Sequence, residues 1–152
     1  MSRYEYYIGV DPGKSGAIAV LEDVKVLATV KMPTNMDQYD ELFVGKMFDA
    51  SAIAVVEKVH AMPGQGVTSM FNFGYSVGRL HASLECHEIP YHLETPRTWM
   101  KWHGVKKSKS ESGTQWKNRL KDLAIRLFPD EKIYLWNADA LLIAYYCRER
   151  FR

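Results

Sequence analysis

Tyr6 to Val10 is an apolar run that ends on a single carboxylate, Asp11, and a Pro-Gly…Gly turn leads into a second apolar run, Ala17 to Leu21. The pattern predicts a β-hairpin whose first strand ends in Asp11. Asp before Pro-Gly is ordinary turn chemistry, whereas a carboxylate at the end of a central strand needs a cation or metal beside it. This stretch alone leaves both roles open for Asp11. Val24 to Met32 predicts a third strand, ended by Pro33. Thr34 or Asn35 then caps a helix whose buried stripe is Tyr39, Leu42, Phe43, Met47 and Phe48. Ala52 to Val56 is apolar without alternation, as in a strand covered on both faces, and it too ends on a carboxylate, Glu57. A Pro/Gly-rich loop, His60 to Gly66, precedes a long helix over about Val67 to His87, with Met70, Phe73, Val77, Leu80 and Leu84 at helical spacing. Pro90 to Glu94 predicts a short fifth strand, and Pro96 opens a short helix through Trp102 that Gly104 ends. After the polar segment Lys106 to Ser112, helical periodicity returns from Trp116 to Leu127. Asn137 caps a last helix, Ala138 to about Arg150, that turns Leu141, Leu142, Tyr145 and Tyr146 inward. The order is that of an α/β protein with a mixed five-stranded sheet flanked by helices. With 152 residues and no repeat or linker, the chain reads as a single domain, 1–152.

Composition narrows the class. At 47% hydrophobic and 25% charged residues the chain is an ordinary globular sequence. It has no run near the roughly 20 apolar residues that span a bilayer, and its first residues lack a signal or transit pattern. An intracellular, cytoplasmic protein with no membrane partner is expected. Cys86 and Cys147 lie far apart without metal-ligand spacing and read as buried thiols in a reducing compartment. The net charge of +2 conceals an asymmetry: residues 1–96 sum to −5, residues 97–126 to +7, and the remainder to zero. A solvated helix face would explain a charge run. Trp99, Trp102, His103 and Trp116 interleave this one, which favours a nucleic-acid surface. Lys106, Lys107 and Lys109 are the first choice for phosphate contacts, which position DNA without reading its sequence.

Three acidic residues occupy distinctive places: Asp11 and Glu57 end strands, and Asp139 lies in the first turn of the last helix. The helix dipole alone would favour Asp139 there. Brought together, the three form an oxygen cage suited to Mg²⁺. Two such ions about 3.5–4 Å apart would clamp the attacking and leaving oxygens of an in-line phosphodiester hydrolysis. No Ser/His/Asp or Cys/His arrangement competes with this reading.

Ile8-Gly9-Val10-Asp11-Pro12-Gly13, Val55-Val56-Glu57-Lys58 and Ala138-Asp139-Ala140-Leu141-Leu142-Ile143-Ala144 resemble, in order and spacing, the blocks of RuvC-type Holliday-junction resolvases. The likeness is nearest to the compact bacteriophage versions and spans nearly the whole chain. It implies an RNase H-like fold and a homodimeric, Mg²⁺- or Mn²⁺-dependent endonuclease that nicks two opposed strands of a four-way junction. Through the resemblance Asp11, Glu57 and Asp139 become metal ligands. Lys117 matches a family lysine near the scissile phosphate, and Lys101 matches another more loosely. Lys101, Lys106, Lys107, Lys109 and Arg119 form the expected DNA-binding set. His60 and Met62 join it, since they stand where the family can carry an aromatic wedge for the junction centre. The chain departs from the family at Trp136, where a further Asp or His is usual. Asn137 or a water then completes the metal shell, or the second metal is held more weakly.

Other classes fit less well. The Asp-Pro-Gly-Lys-Ser-Gly turn also occurs in actin-like kinases and ATPases, but these need two such domains, and the spacing is not that of a Walker A loop. No nucleotide cofactor is expected. The same nuclease fold could instead act on flaps, forks or other branched DNA, and Trp136 admits a catalytically weakened branched-DNA-binding module. Phe71 and Phe73 suit base stacking, though packing in the core or across a dimer is the simpler role. Gly74 and Gly78 would permit close helix approach across a two-fold axis.

Overall fold

The structure, a computed structural model, describes residues 3–47 and 51–152, the side chains of Lys46 and Met47 excepted. Met47 and Phe48, expected on the first helix's stripe, therefore lie outside the described side chains. The elements are β1 (Tyr6–Asp11), β2 (Ala17–Glu22), β3 (Lys25–Lys31), α1 (Met36–Met47), β4 (Ala52–Glu57), α2 (Val67–Cys86), β5 (Tyr91–Glu94), α3 (Pro96–Trp102), α4 (Gly113–Leu127) and α5 (Ala138–Phe151). The strands form one sheet in the order β3-β2-β1-β4-β5. β2 runs antiparallel to both β1 and β3, while β4 is parallel to β1 and β5 parallel to β4. Val10 pairs with Val56, so Asp11 and Glu57 follow one another's partners off the same edge of the sheet.

Alternate residues of β1 and β4 feed two cores, which explains why their sequences do not alternate. Tyr7, Ile53 and Val55 pack with Trp99, Trp116, Leu120 and Leu141 beneath α3, α4 and α5. Ile8, Val10, Ala54 and Val56 pack with Tyr39, Leu42 and Phe43 of α1 and Leu80 and Leu84 of α2. α5 lies directly on β1. A Cβ at Gly9 would fall 2.1 Å from the Ala144 nitrogen and 2.2 Å from the Ala140 oxygen, so only glycine admits this approach. Gly16 plays the same part in the hairpin turn, where a Cβ would meet the Asp11 carbonyl oxygen at 2.0 Å.

Several expectations change. Only Leu80, Ser83 and Leu84 of α2 are buried; Met70, Phe73 and Val77 are half-buried, because the helix reaches the sheet only through its later turns. Cys86, at the solvent end of α2, is exposed, whereas Cys147 is buried and its thiol reaches the Ile53 carbonyl at 3.6 Å. α4 begins at Gly113, ahead of its apolar stripe, because Ser112 and Gln115 form a reciprocal capping box. Asn137 does not cap α5 with its side chain. Its Oδ1 accepts from the Tyr134 backbone N–H at 2.7 Å, and its Nδ2 donates to the Lys132 carbonyl at 3.1 Å and Thr29 Oγ1 at 3.4 Å. Among the described residues no helix is long and apolar enough to cross a membrane.

Candidate active site

Asp11, Glu57 and Asp139 arrive at one edge of the sheet from three elements. Asp11 leaves β1 and accepts a hydrogen bond at Oδ1 from the Gly13 N–H at 3.2 Å. Burial, and then the Asp139 charge, raise its pKa, against the pull of that N–H and of Lys117. Glu57 leaves β4, and its Oε2 accepts from Trp99 Nε1 at 2.8 Å. Burial pushes its carboxyl up to about 7; the indole hydrogen bond opposes the rise, while Asp11 and Asp139 add to it. Asp139 is 6% exposed. Its Oδ2 pairs with Lys117 Nζ at 2.7 Å, and its Oδ1 is buried with no hydrogen-bond partner. Burial works to lower the Lys117 pKa, but Asp139, with Asp11 and Glu57 behind it, outweighs it and raises the ammonium's pKa.

Three carboxylates that influence one another and share a single ammonium form an electrostatically unbalanced group. Buried carboxylates of this kind are stabilised by protonation or by a cation. Hard oxygens are the donor set Mg²⁺ and Mn²⁺ take, and the unpartnered Asp139 oxygen is a ligand atom in search of a cation. The residues therefore fit a divalent metal. As the side chains stand, no three acidic, histidine or cysteine groups among the described residues converge on one point, and Lys117 holds one of the Asp139 oxygens. Asn137 is no ready substitute for the family's extra ligand, since its amide is engaged in the 132–137 loop.

The basic segment builds a separate feature. Arg97, Lys101, Lys106, Lys107 and Trp116 line an open cavity of about 860 Å³ between α3 and α4. Lys109 is exposed in the turn beyond it. Arg119 is exposed yet engaged by its own surface: it pairs with Glu111 at 3.1 Å, donates to the Lys106 carbonyl and lies over the Trp116 ring at 4.8 Å. It fastens the basic loop to α4. His60 and Met62 are exposed in the loop that follows Glu57, away from any buried contact. Trp99, expected among the aromatics of the basic segment, is buried and belongs to the site instead, through its hydrogen bond to Glu57. Forty-two positions separate it from Glu57, and no local pattern marks such a pair.

A mixed sheet in this order, with a helix laid across β1, is an RNase H-like architecture. Among solved structures it is similar to RuvC of T. thermophilus in complex with a Holliday junction substrate, at a TM-score of 0.64 and 14% identity, over 97% of this chain and 94% of that one. It is likewise similar to a second Thermus thermophilus RuvC structure, at 0.63 and 14%, over 96% and 97%. The chain thus has the RuvC fold over nearly its whole length. No family model matches the sequence, and no curated protein sequence matches it.

Proposed function

We propose that the chain is a metal-dependent, structure-selective DNA endonuclease that resolves four-way junctions by paired nicks. The observation that carries this reading is the mutual electrostatic influence of Asp11, Glu57 and Asp139, with Lys117 on one Asp139 oxygen and the other buried without a partner. A fold shared with a protein solved on a Holliday junction supports the substrate class. Asp11, Glu57 and Asp139 would hold the metal, two ions of Mg²⁺ or Mn²⁺. Bound there, divalent ions supply charge stabilisation to the attacking and leaving oxygens of the phosphodiester. The chain's own residues do the rest. The Trp99 N–H orients the Glu57 carboxylate, Lys117 brings a positive charge to the scissile phosphate, and Lys101, Lys106, Lys107 and Lys109 position the backbone. His60 and Met62 face the junction centre.

A homodimer accounts for the open half of α2. Val67, Phe71 and Tyr75 are exposed along one stripe, and Cβ atoms at Gly74 and Gly78 would meet nothing within 4 Å. A two-fold pair of sites matches a substrate with two equivalent cleavage points. The test is cleavage of end-labelled four-way junctions, forks, flaps and linear duplex with Mg²⁺, Mn²⁺ or EDTA. Symmetric paired nicks in junctions that vanish with EDTA are expected. Preferential cutting of forks or flaps would move the substrate within the same fold, and metal-independent cutting or none would overturn the reading.

A further inference from the structure

Just before Asp139 the chain leaves three large side chains at the surface. Tyr134 and Leu135 are 48% and 50% exposed, and Trp136 is half-buried. The Tyr134 and Trp136 rings are parallel to within 11°, with centroids 6.1 Å apart, and the Lys31 ammonium lies 5.7 Å from the Trp136 centroid. Strand register ties this group to the catalytic edge. Asp11 pairs with Ala17, and Ala17 with Lys31, so Lys31 stands two strand spacings, about 9.6 Å, along the same row. Thr29, on the same face of β3 as Lys31, meets Asn137, which places the whole group on the α5 side with Asp11. The loop is braced. Asn137 holds the Tyr134 N–H and the Lys132 carbonyl, and the Ala138 N–H closes on the Tyr134 carbonyl at 3.1 Å.

Scattered apolar residues on a surface need no explanation, but a contiguous group on a braced loop beside a reactive edge does. An aromatic face in water takes a nucleobase by stacking, and a neighbouring cation takes its phosphate. The geometry points to a stacking site for one unpaired base. Tyr134, backed by Trp136, receives a base of the strand whose phosphate enters the carboxylate site, and Lys31 neutralises an adjacent phosphate. The site rests on the proposed action on DNA, yet cleavage is not needed to detect it.

The test is photo-crosslinking of the full-length protein, held in EDTA, to four-way junctions carrying 5-iodouracil at successive positions around the branch. A cross-link confined to one or two adjacent positions and mapping to Tyr134 is expected. Tyr134→Ala should abolish it and weaken junction binding about tenfold. Tyr134→Phe should keep both, since stacking needs the ring and not the hydroxyl, and it controls for folding. Normal junction binding with no cross-link at Tyr134, or an unchanged affinity in Tyr134→Ala, would overturn the stacking site and leave the proposed function intact. A wild-type protein that binds no branched DNA would overturn both.

Discussion

α5 and α2 cover opposite faces of one sheet and are used in opposite ways. Nine of the fourteen residues of α5 are buried, and its backbone touches β1 at Gly9. Only three of the twenty residues of α2 are buried, all in its later turns. The helix seated without slack carries Asp139, a group whose chemistry depends on position. The helix seated loosely presents Val67, Phe71 and Tyr75 to solvent, as a surface for assembly would. Close packing fixes where Asp139 stands, and incomplete packing leaves an apolar stripe of α2 in solvent.

The sharpest way to break this contrast is to add one methyl group beneath α5, at Gly9, and one on α2, at Gly74. Gly9→Ala would force a Cβ into the backbone of α5, and a loss of about 4 kcal/mol or more is expected from overpacking against backbone that cannot rotate away. Gly74→Ala meets nothing in the folded chain and should raise helix stability by about 0.5–1 kcal/mol. Urea denaturation of both variants checks this; similar midpoints would mean that α5 is not held as described.

A smaller effect concerns charge at the α5 end. In the metal-free protein the Glu57 carboxyl is pushed up to about 7 by burial, from an ordinary value of 4.5. Between those values the folded chain keeps a proton that the unfolded chain has released. Stability should therefore fall as pH rises from about 4.5 to about 7, by roughly 1–3 kcal/mol, and level off above. Asp11, raised by the same burial, acts in the same direction. Melting temperatures across this range in EDTA should show the slope, and Glu57→Gln should reduce it; a slope of the opposite sign would remove the argument for a buried, unbalanced carboxylate group.

The least costly change to folding lies on α2. Phe71→Lys with Tyr75→Lys alters exposed side chains and should shift monomer stability by no more than about 0.5 kcal/mol each. The same pair should convert a dimer to monomers in sedimentation velocity. A persistent dimer would place the association surface elsewhere.

Much of this was legible from the chain. An uninterrupted apolar run marks β4 as a strand covered on both faces, and the carboxylates that end β1 and β4 leave the same edge because the strands are parallel neighbours. Other features depend on tertiary contact and have no local signature. Trp99 reaches Glu57 across 42 positions. Asn137 has the type and place of a cap, but its amide turns to the loop that carries Tyr134 and Lys132. The apolar spacing of α2 is the same whether a core, a partner or solvent meets Met70 and Phe73, so sequence could not separate these outcomes. Arg119 reads as one more phosphate contact, and the folded loop adds Glu111 and Trp116 beside it.

Under the proposed function, Glu57 serves chemistry and not DNA affinity. Glu57→Gln keeps the shape of the side chain and an oxygen for the Trp99 N–H while removing the charge. Single-turnover cleavage of a saturating four-way junction in Mg²⁺, measured beside the binding constant of the same preparation, separates the two roles. A loss of cleavage of more than about 100-fold is expected, beyond what an outer-shell change costs a metal site, with binding unchanged. Cleavage at the wild-type rate would contradict it.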